Sequence, residues 1–348
     1  MEYKFDQIAF NITAKKLPEE SDRQHYIGLE HLDTNSLFVS RWGSDVTPVG
    51  EKLLMKKGDV LFGKRRAYQR KVGIAPFDGI FSAHGMVLRP KENVMDKDFF
   101  PFFISSDQFM ERAVRISVGG LSPTINWKDL KEQVFEIPSL EEQKALAAKL
   151  WAAYKLREDY KRLLTATDEM VKSRFIELFG NKPSVSIQSI AKEVFAGGDK
   201  PSDISNVKTE EYKYPVFSNG IGENALLCYS KSFRVSVPAI TVSARGTIGY
   251  AEIRNAHFTP VVRLLTLIPK ENNNLTFVKY ALNQIEYRTS GSSIGQLPVP
   301  EFIKLTVPAA SITEQDRFSS IAEQADKSKF ELKQAIEKID KVMRSLLQ

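Results

Sequence analysis

One short motif occurs twice in the chain, about half a chain length apart. Ser139-Leu-Glu-Glu-Gln143 and Ser311-Ile-Thr-Glu-Gln315 each follow an aliphatic residue and a proline, and each opens a long polar stretch with regularly spaced apolar residues. A Ser-x-x-Glu pattern is a capping box, in which the serine oxygen accepts from an early helical N–H and the glutamate accepts from the serine N–H. Two helices are therefore predicted to begin at corresponding places in two copies of one plan.

Three earlier segments of each half also match, in the same order, whereas the first residues of each half match poorly. The pairs are Leu88–Glu92 with Leu267–Glu271, Phe99–Ser105 with Phe277–Asn283, and Asp59–Arg65 with Ala239–Arg245. A duplication explains four ordered pairs better than chance does. The two halves are predicted to share a scaffold and to differ in their entry segments.

The stretches after the two motifs predict long helices over residues 141–179 and 318–346. In the second, apolar residues recur every seven positions from Phe318 to Leu346, with Lys329 as the exception. The first is less regular and is interrupted by Arg157, Thr167 and Arg174. This spacing indicates a coiled-coil seam. Neither helix has a wide apolar face, so the economical partner of each is the other.

The domain plan follows from these helices. Residues 1–138 and 181–310 contain short strand-like runs separated by Gly, Pro and Asn, and each is the size of one compact domain. The chain is predicted to be α+β (mixed α/β), with globular domains at 1–138 and 181–310 and spacer helices at 139–180 and 311–348.

Composition excludes several classes of protein. Cys228 is the only cysteine and the four histidines are scattered, which excludes an intrachain disulfide and a Cys-based zinc site. No apolar run approaches the ~20 residues of a membrane span, and the first ten residues carry charges where a signal peptide would be apolar. We therefore expect a cytoplasmic protein without a membrane partner. A net charge of +6 permits nucleic-acid binding without requiring it.

The strongest local charge cluster is Lys64-Arg-Arg-Ala-Tyr-Gln-Arg-Lys71, which has five positive charges in eight residues and no acid. It follows a predicted strand, so it is expected to be an exposed loop. Arg makes bidentate contacts to guanine or phosphate and Lys makes contacts to the backbone, although a solvated surface turn would have the same composition. The candidate DNA-binding residues here are Lys64, Arg65, Arg66, Tyr68, Arg70 and Lys71.

The corresponding turn in the second half is Ser243-Ala-Arg-Gly-Thr-Ile-Gly249, in which Ser243, Arg245 and Thr247 are candidate DNA-binding residues. Its glycines would let backbone amides approach a phosphate, and an ordinary hairpin turn is the alternative. Two glycine-rich segments, Ser117–Thr124 and Ser290–Gln296, occupy matching positions before the helices. On their own they are flexible connections.

Signals for catalysis are weak. Asn219–Ala225 resembles a nucleotide-binding fingerprint but lacks the acidic residue about 20 positions later. Asp203 with Glu211 and Lys213 has the composition of a metal-dependent nuclease site, a pattern that arises often by chance. The chain has no Pro-Pro, which the Asn/Asp-Pro-Pro-aromatic tetrapeptide of adenine methyltransferases requires, and no Walker loop. No catalytic or metal-binding residue is predicted.

Over essentially its whole length the chain resembles the specificity subunit of type I restriction–modification systems. The resemblance is carried by the order and duplication of the Pro…Ser-x-x-Glu-Gln junctions, by Asp59–Arg65, by Tyr26–Glu30, by Phe175–Gly180, and by the Gly197–Pro201 entry of the second half. It implies two target-recognition domains held apart by two antiparallel helices. Each domain would read one half of a split DNA site, and the glycine-rich segments would face DNA.

The resemblance also implies the partners. Double-stranded DNA, two methyltransferase (modification) subunits and restriction subunits are expected. No cofactor is expected in this chain, because S-adenosylmethionine would be bound by the methyltransferase, and ATP and Mg by the restriction subunit. Since the chain is short for the family, a related system with a fused nuclease–methyltransferase partner is an alternative. A stand-alone DNA-modifying enzyme and a purely structural coiled-coil adaptor are the rivals from other classes.

Overall fold

The computed structural model describes residues 1–287 and 295–348. They form two compact units: Met1–Tyr160 together with Gln334–Gln348, and Lys161–Lys333. Each unit therefore contains one globular part and a portion of both long helices. The domain boundaries at 138, 180 and 310 stay a prediction. Within the described residues, no helix is long and apolar enough to cross a membrane.

The first unit contains short strands and short helices before the first long helix. The strands are β1 (Glu2–Lys4), β2 (Ala9–Ile12), β3 (Lys15–Lys16), β4 (Tyr26–Ile27), β5 (Lys52–Met55), β6 (Val60–Phe62), β7 (Val72–Ile74), β8 (Gly79–Phe81), β9 (Met86–Pro90) and β10 (Val134–Glu136). The helices are α1 (Phe5–Ile8), α2 (Phe100–Ser105), α3 (Asp107–Arg115), α4 (Trp127–Leu130) and the first part of α5 (Leu140–Phe179).

Two four-stranded sheets organise this unit, in the orders β2-β9-β6-β7 and β3-β5-β8-β4, and β1 pairs separately with β10. The central strand β6 is a run of Val60, Leu61 and Phe62, all fully buried, as expected of a strand covered on both faces. Phe62 belongs to the larger core, with α2, α3 and the beginning of α5, whereas Leu61 belongs to a second core beneath the other sheet.

The second unit has the same number of strands, and described short helices again lie between its ninth and tenth strands. Its strands are β11 (Ser184–Ser186), β12 (Ala191–Ala196), β13 (Ile204–Ser205), β14 (Tyr214–Phe217), β15 (Leu226–Ser230), β16 (Ala239–Val242), β17 (Ala251–Arg254), β18 (Thr259–Pro260), β19 (Leu265–Pro269) and β20 (Thr306–Pro308). Its helices are α6 (Ile187–Ile190), α7 (Leu275–Asn283), α8 (Val299–Phe302), the end of α5 and the larger part of α9 (Ile312–Leu346).

The sheet β12-β19-β16-β17 reproduces the first sheet of the other unit strand for strand. The second sheets differ. Numbered by their order along the chain, the strands run first-third-fourth-second in one unit and first-third-second-fourth in the other. In both, the second and fourth strands are parallel. The predicted duplication is thus visible in the shared sheet, and the divergence lies in the sheet built mainly from each half's entry segment.

The two long helices begin where the repeat predicts. Ser139 Oγ accepts from Glu142 N at 3.3 Å while Glu142 Oε2 accepts from Ser139 N at 2.9 Å. Ser311 and Glu314 form the same box at 3.4 and 3.0 Å. Gly180 follows α5, and a Cβ there would lie 2.6 Å from the Ile176 carbonyl oxygen, so this close approach requires glycine.

Within each unit the two helices pack antiparallel. In the first unit Leu150 and Tyr154, near the start of α5, share a core with Met343, near the end of α9. In the second, Phe175 and Phe179, at the end of α5, pack on Phe318, near the start of α9. Phe318, in the apolar seam read from the sequence, therefore lies in a helix–helix contact.

Candidate nucleic-acid interface

The loop Lys64–Lys71, called the basic loop below, is closed on itself. Gly63 N donates to Lys71 O at 2.9 Å across its base. Arg66 and Arg70 have left-handed backbones, with φ of 56° and 52°, on either side of a single 3₁₀ turn, Ala67–Gln69. Ala67 is buried and fixes the turn to the core. The loop is thus an ordered turn that follows the central strand β6.

The cations of this loop fall into two groups. Arg70 pairs with Asp107 at 2.6 Å and donates to Ser105 O at 3.1 Å. Lys71 Nζ donates to Leu29 O at 2.7 Å. These two side chains therefore hold the loop against the rest of the unit, and a direct contact of either with DNA stays a prediction.

Arg65, Arg66 and Tyr68 are exposed instead, and neither arginine has an ion-pair partner in the described part of the chain. Lys64 is half-buried. Burial lowers the pKa of Lys64, and the nearby positive charge of Lys15 lowers it further. Positive charge without a carboxylate partner is thus concentrated at Lys64–Arg66, as a phosphate-binding surface requires.

The segment Ser117–Thr124, called the tip loop below, lies directly beside the basic loop. Val118 and Thr124 close the tip loop with a pair of backbone hydrogen bonds of 3.0 and 2.9 Å. Arg66 N donates to Pro123 O at 2.7 Å, and Arg66 Nε donates to Ser122 Oγ at 3.2 Å. Two segments that the sequence singles out separately thus form one surface.

In the second unit, hydrogen bonds to neighbouring segments of the protein hold the turn after β16. Ser243 is only 1% exposed, and its Oγ lies 3.3 Å from Gly220 O. Arg245 Nη2 donates to Gln296 Oε1 at 3.0 Å, whereas Thr247 is exposed. Ser243 therefore supports the turn, Thr247 lies on its surface, and DNA contact by Ser243, Arg245 or Thr247 stays a prediction. Ser290–Ile294 of the second glycine-rich segment lie outside the described residues.

The two weak enzyme signals have structural explanations. Asp203 and Glu211 do come together, but the cation between them is Lys231 Nζ, at 3.0 and 2.7 Å, rather than Lys213. Asn219 accepts from Ala244 N at 2.7 Å and donates to Val262 O at 2.8 Å, so it joins three loops. In residues 1–287 and 295–348, no group of three His, Cys, Asp or Glu side chains is placed to hold a metal ion.

The sequence patterns did not identify two structural anchors, Gln143 and Gln315. Gln143 is fully buried, where it accepts from Asp96 N at 2.8 Å and donates to Val94 O and Pro138 O at 2.9 Å. Gln315 similarly accepts from Asn274 N at 2.8 Å and donates to Ala310 O at 2.9 Å. The signal was present, because glutamine follows the capping glutamate in both copies.

Comparison with known proteins agrees with this twofold plan. The family model for the type I restriction modification DNA specificity domain matches residues 10–162 and again residues 189–341. A Mycoplasma pneumoniae protein assigned to the type I specificity subunits is 31% identical over 243 residues, which cover 67% of this chain and 65% of the relative. A second from that organism is 42% identical over 132 residues, covering 38% of this chain and 39% of the relative.

Two solved structures show the same fold over the whole chain. The S subunit of a type I restriction–modification system from M. genitalium is 16% identical with a TM-score of 0.61, and 94% of it is covered. A chain from a structure of complex assembly and conformational transition of a type I R-M system is 17% identical with a TM-score of 0.59, and 96% of it is covered. Because the family model matches both halves, this chain belongs to the type I restriction–modification DNA specificity family.

Proposed function

We propose that this chain is the DNA-recognition subunit of a type I restriction–modification system and that each half reads one part of a split site. Family membership supports this role. The observation that carries it is the surface formed by the basic loop and the tip loop, where Arg65 and Arg66 are exposed beside a glycine-rich hairpin. The first unit then binds DNA by phosphate contacts from these cations, with base contacts supplying the sequence preference.

Salt-dependent DNA binding tests this role. Replacing Arg65 and Arg66 with Ala should weaken binding of duplex DNA and reduce the slope of log K against log salt by about 0.9 for each phosphate that is no longer neutralised. The matched control is Lys56→Ala with Lys57→Ala, which removes two exposed charges from a turn of the same unit. An Arg65/Arg66 variant that folds and keeps both wild-type affinity and slope would return the basic loop to ordinary surface.

The proposed partners are two methyltransferase subunits, which dock on the long helices, and the restriction subunits, which join that core. In the second unit α5 leaves Leu163 and Met170 about half exposed at a seven-residue spacing, which supports helix docking. Met170→Glu should reduce methyltransferase binding and leave DNA binding by the isolated chain intact. The same substitution at Lys172, an exposed polar position of the same helix, is the control.

The chain itself is proposed to be non-catalytic and cytoplasmic. S-adenosylmethionine belongs to the methyltransferase, which takes its adenine out of the base stack, and ATP and Mg belong to the restriction subunit. A fused nuclease–methyltransferase partner would use the same DNA surface. Methyl transfer should begin only when a methyltransferase subunit is added to the purified chain, and transfer by the chain alone would contradict this assignment.

A further inference from the structure

Leu121 projects from the tip loop with 98% of its side chain exposed. The preceding Gly119 has φ of +111°, and a Cβ on Gly120 would meet nothing within 4 Å. No side chain next to Leu121 on the N-terminal side therefore obstructs the approach of a large surface. Single exposed leucines are common on proteins, so exposure alone assigns nothing to this residue.

The surroundings of Leu121 distinguish it from other exposed leucines. Thr124 forms a β-bridge with Arg65, and Ile125 N donates to Lys64 O at 3.0 Å. With the bonds from Arg66 to Ser122 and Pro123, the leucine stands on a base whose neighbours are the cations of the basic loop. An apolar tip bordered by unpaired positive charge matches a DNA groove, which has phosphates at its edges and apolar base surfaces inside.

We propose that Leu121 is an apolar contact to the bases of duplex DNA, placed in a groove while Arg65 and Arg66 bind the flanking phosphates. This inference rests on the proposed function and adds to it a residue that acts on bases. The charged rim disfavours an apolar pocket of another protein as the occupant, because burying unpaired arginines there would be costly.

Salt titration separates this role from a phosphate contact. A contact between leucine and bases releases no condensed counterion, so Leu121→Ala should lower affinity for a selected duplex roughly tenfold without changing the salt slope. Leu121→Met should retain most of the affinity because it keeps the apolar volume. The control is Val342→Ala, an exposed aliphatic position on α9 in the same unit. The duplex is one selected by the full-length chain from a random pool.

A second measurement identifies the base contact. Selection from the random pool with Leu121→Ala should lose preference at one or two adjacent base pairs and retain the rest of the site. Unchanged affinity and preference would overturn the inference, as would a changed salt slope, which would show that the leucine acts through the arginines. Reduced methyltransferase binding with normal DNA binding would assign Leu121 to a protein contact instead.

The two proposals fail in different ways. If the wild-type chain binds no DNA, the recognition role itself is wrong. If the wild type binds and Arg65/Arg66 substitution reduces the salt slope, but Leu121→Ala behaves like Val342→Ala, only the base contact is wrong. Since Leu121 makes no core contact, thermal unfolding should confirm that its variants keep the wild-type fold.

Discussion

The buried glutamine one position after each capping glutamate connects a helix start to the segment that packs on it. Gln315 satisfies the N–H of Asn274, and Asn274 in turn caps α7 by accepting from Thr276 N at 2.9 Å and Phe277 N at 3.3 Å. Losing the amide would leave the Asn274 N–H and the Ala310 carbonyl, both on half-buried residues, without this partner. Each unsatisfied buried polar group costs about 1–3 kcal/mol.

Gln315→Ala should therefore lower the free energy of unfolding by about 1–3 kcal/mol, because two half-buried backbone groups lose their partner. Chemical denaturation followed by circular dichroism measures the change. Gln324→Ala, at an exposed position of the same helix, is the control and should change stability by less than about 0.5 kcal/mol. Equal effects of the two substitutions would show that the buried amide is not an anchor.

The two capping boxes should respond differently to acid. The Lys182 ammonium, at 2.7 Å, and then the N–H and hydroxyl of Ser311 lower the pKa of Glu314 to about 2. The hydroxyl and then the N–H of Ser139 lower the pKa of Glu142, without a lysine partner. A depressed carboxyl pKa gives stability that is complete above the unfolded value of 4.5 and is lost as pH falls toward about 2.

Glu314→Gln should thus flatten the pH dependence of stability between about 4.5 and 2. Unfolding midpoints measured across that range test it, with Glu142→Gln as the matched variant. The effect at Glu314 should exceed that at Glu142 because Glu314 accepts a hydrogen bond from the Lys182 ammonium, whereas the N-terminal ammonium acts on Glu142 only through space and is the smallest cause of its lowered pKa. The reverse order would indicate that Lys182 contributes nothing to the box.

Sequence reasoning located these residues unevenly, for a physical reason. A capping box is local, so Ser139 and Glu142 could be predicted from four consecutive positions. The roles of Arg70 and Lys71 could not, because their acceptors, Ser105 O and Leu29 O, lie 35 and 42 residues away. Charge density showed that the loop is basic, but it did not show which cations already have a partner within the protein. That distinction now favours Arg65 and Arg66 for DNA contact.

At the level of elements, two of the irregular positions of the coiled-coil pattern, Arg157 and Lys329, form ion pairs between the long helices. Arg157 is 8% exposed in its side chain, pairs with Asp340 at 3.1 Å, stacks over Tyr154 and donates to Asn35 O. Lys329 pairs with Asp168 at 2.8 Å. Arg157 and Asp168 are as far apart along α5 as Lys329 and Asp340 are along α9. These two pairs, one within each unit, therefore fit the same antiparallel register.

A polar pair in an otherwise apolar seam selects register because any slip separates its two charges and leaves Arg157 with only Glu158, and Lys329 with only Asp326, of its own helix. Asp340→Ala should destabilise the first unit by about 1.5–3 kcal/mol, the range for a hydrogen bond to a charged group. A double-mutant cycle with Arg157→Ala should give a coupling energy above that of Lys329 with Asp168, since Asp168 is more exposed. Coupling near zero for Arg157 and Asp340 would contradict a role in register.

For the whole molecule, the repeat and both long helices could be predicted, whereas the strand order of the divergent sheets could not. Helix starts and heptads are visible at short range, but the order of β3-β5-β8-β4 depends on pairings such as that of Tyr26 with Ile80. The residues that differ most between the halves thus form the second sheet of each unit, whose strand order could not be predicted from the sequence. In the proposed function this difference would let the halves read different DNA sequences.

The helices are proposed to set the gap between the two half-sites, and lengthening both tests this. Four residues added after Thr165 in α5 and four after Glu331 in α9 add about 6 Å and rotate the distal half of each helix by about 40°. The ion pairs of Arg157 with Asp340 and of Lys329 with Asp168 can both still form, because the added residues lie between the two pairs along both helices. Since 6 Å is nearly two base pairs of rise, methylation mapping should find unchanged half-sites with a longer gap.

The same addition in α5 alone is the control. It prevents the two ion pairs from forming in one register and should therefore reduce stability. Altered half-sites at the original gap would show that the helices do not determine the spacing.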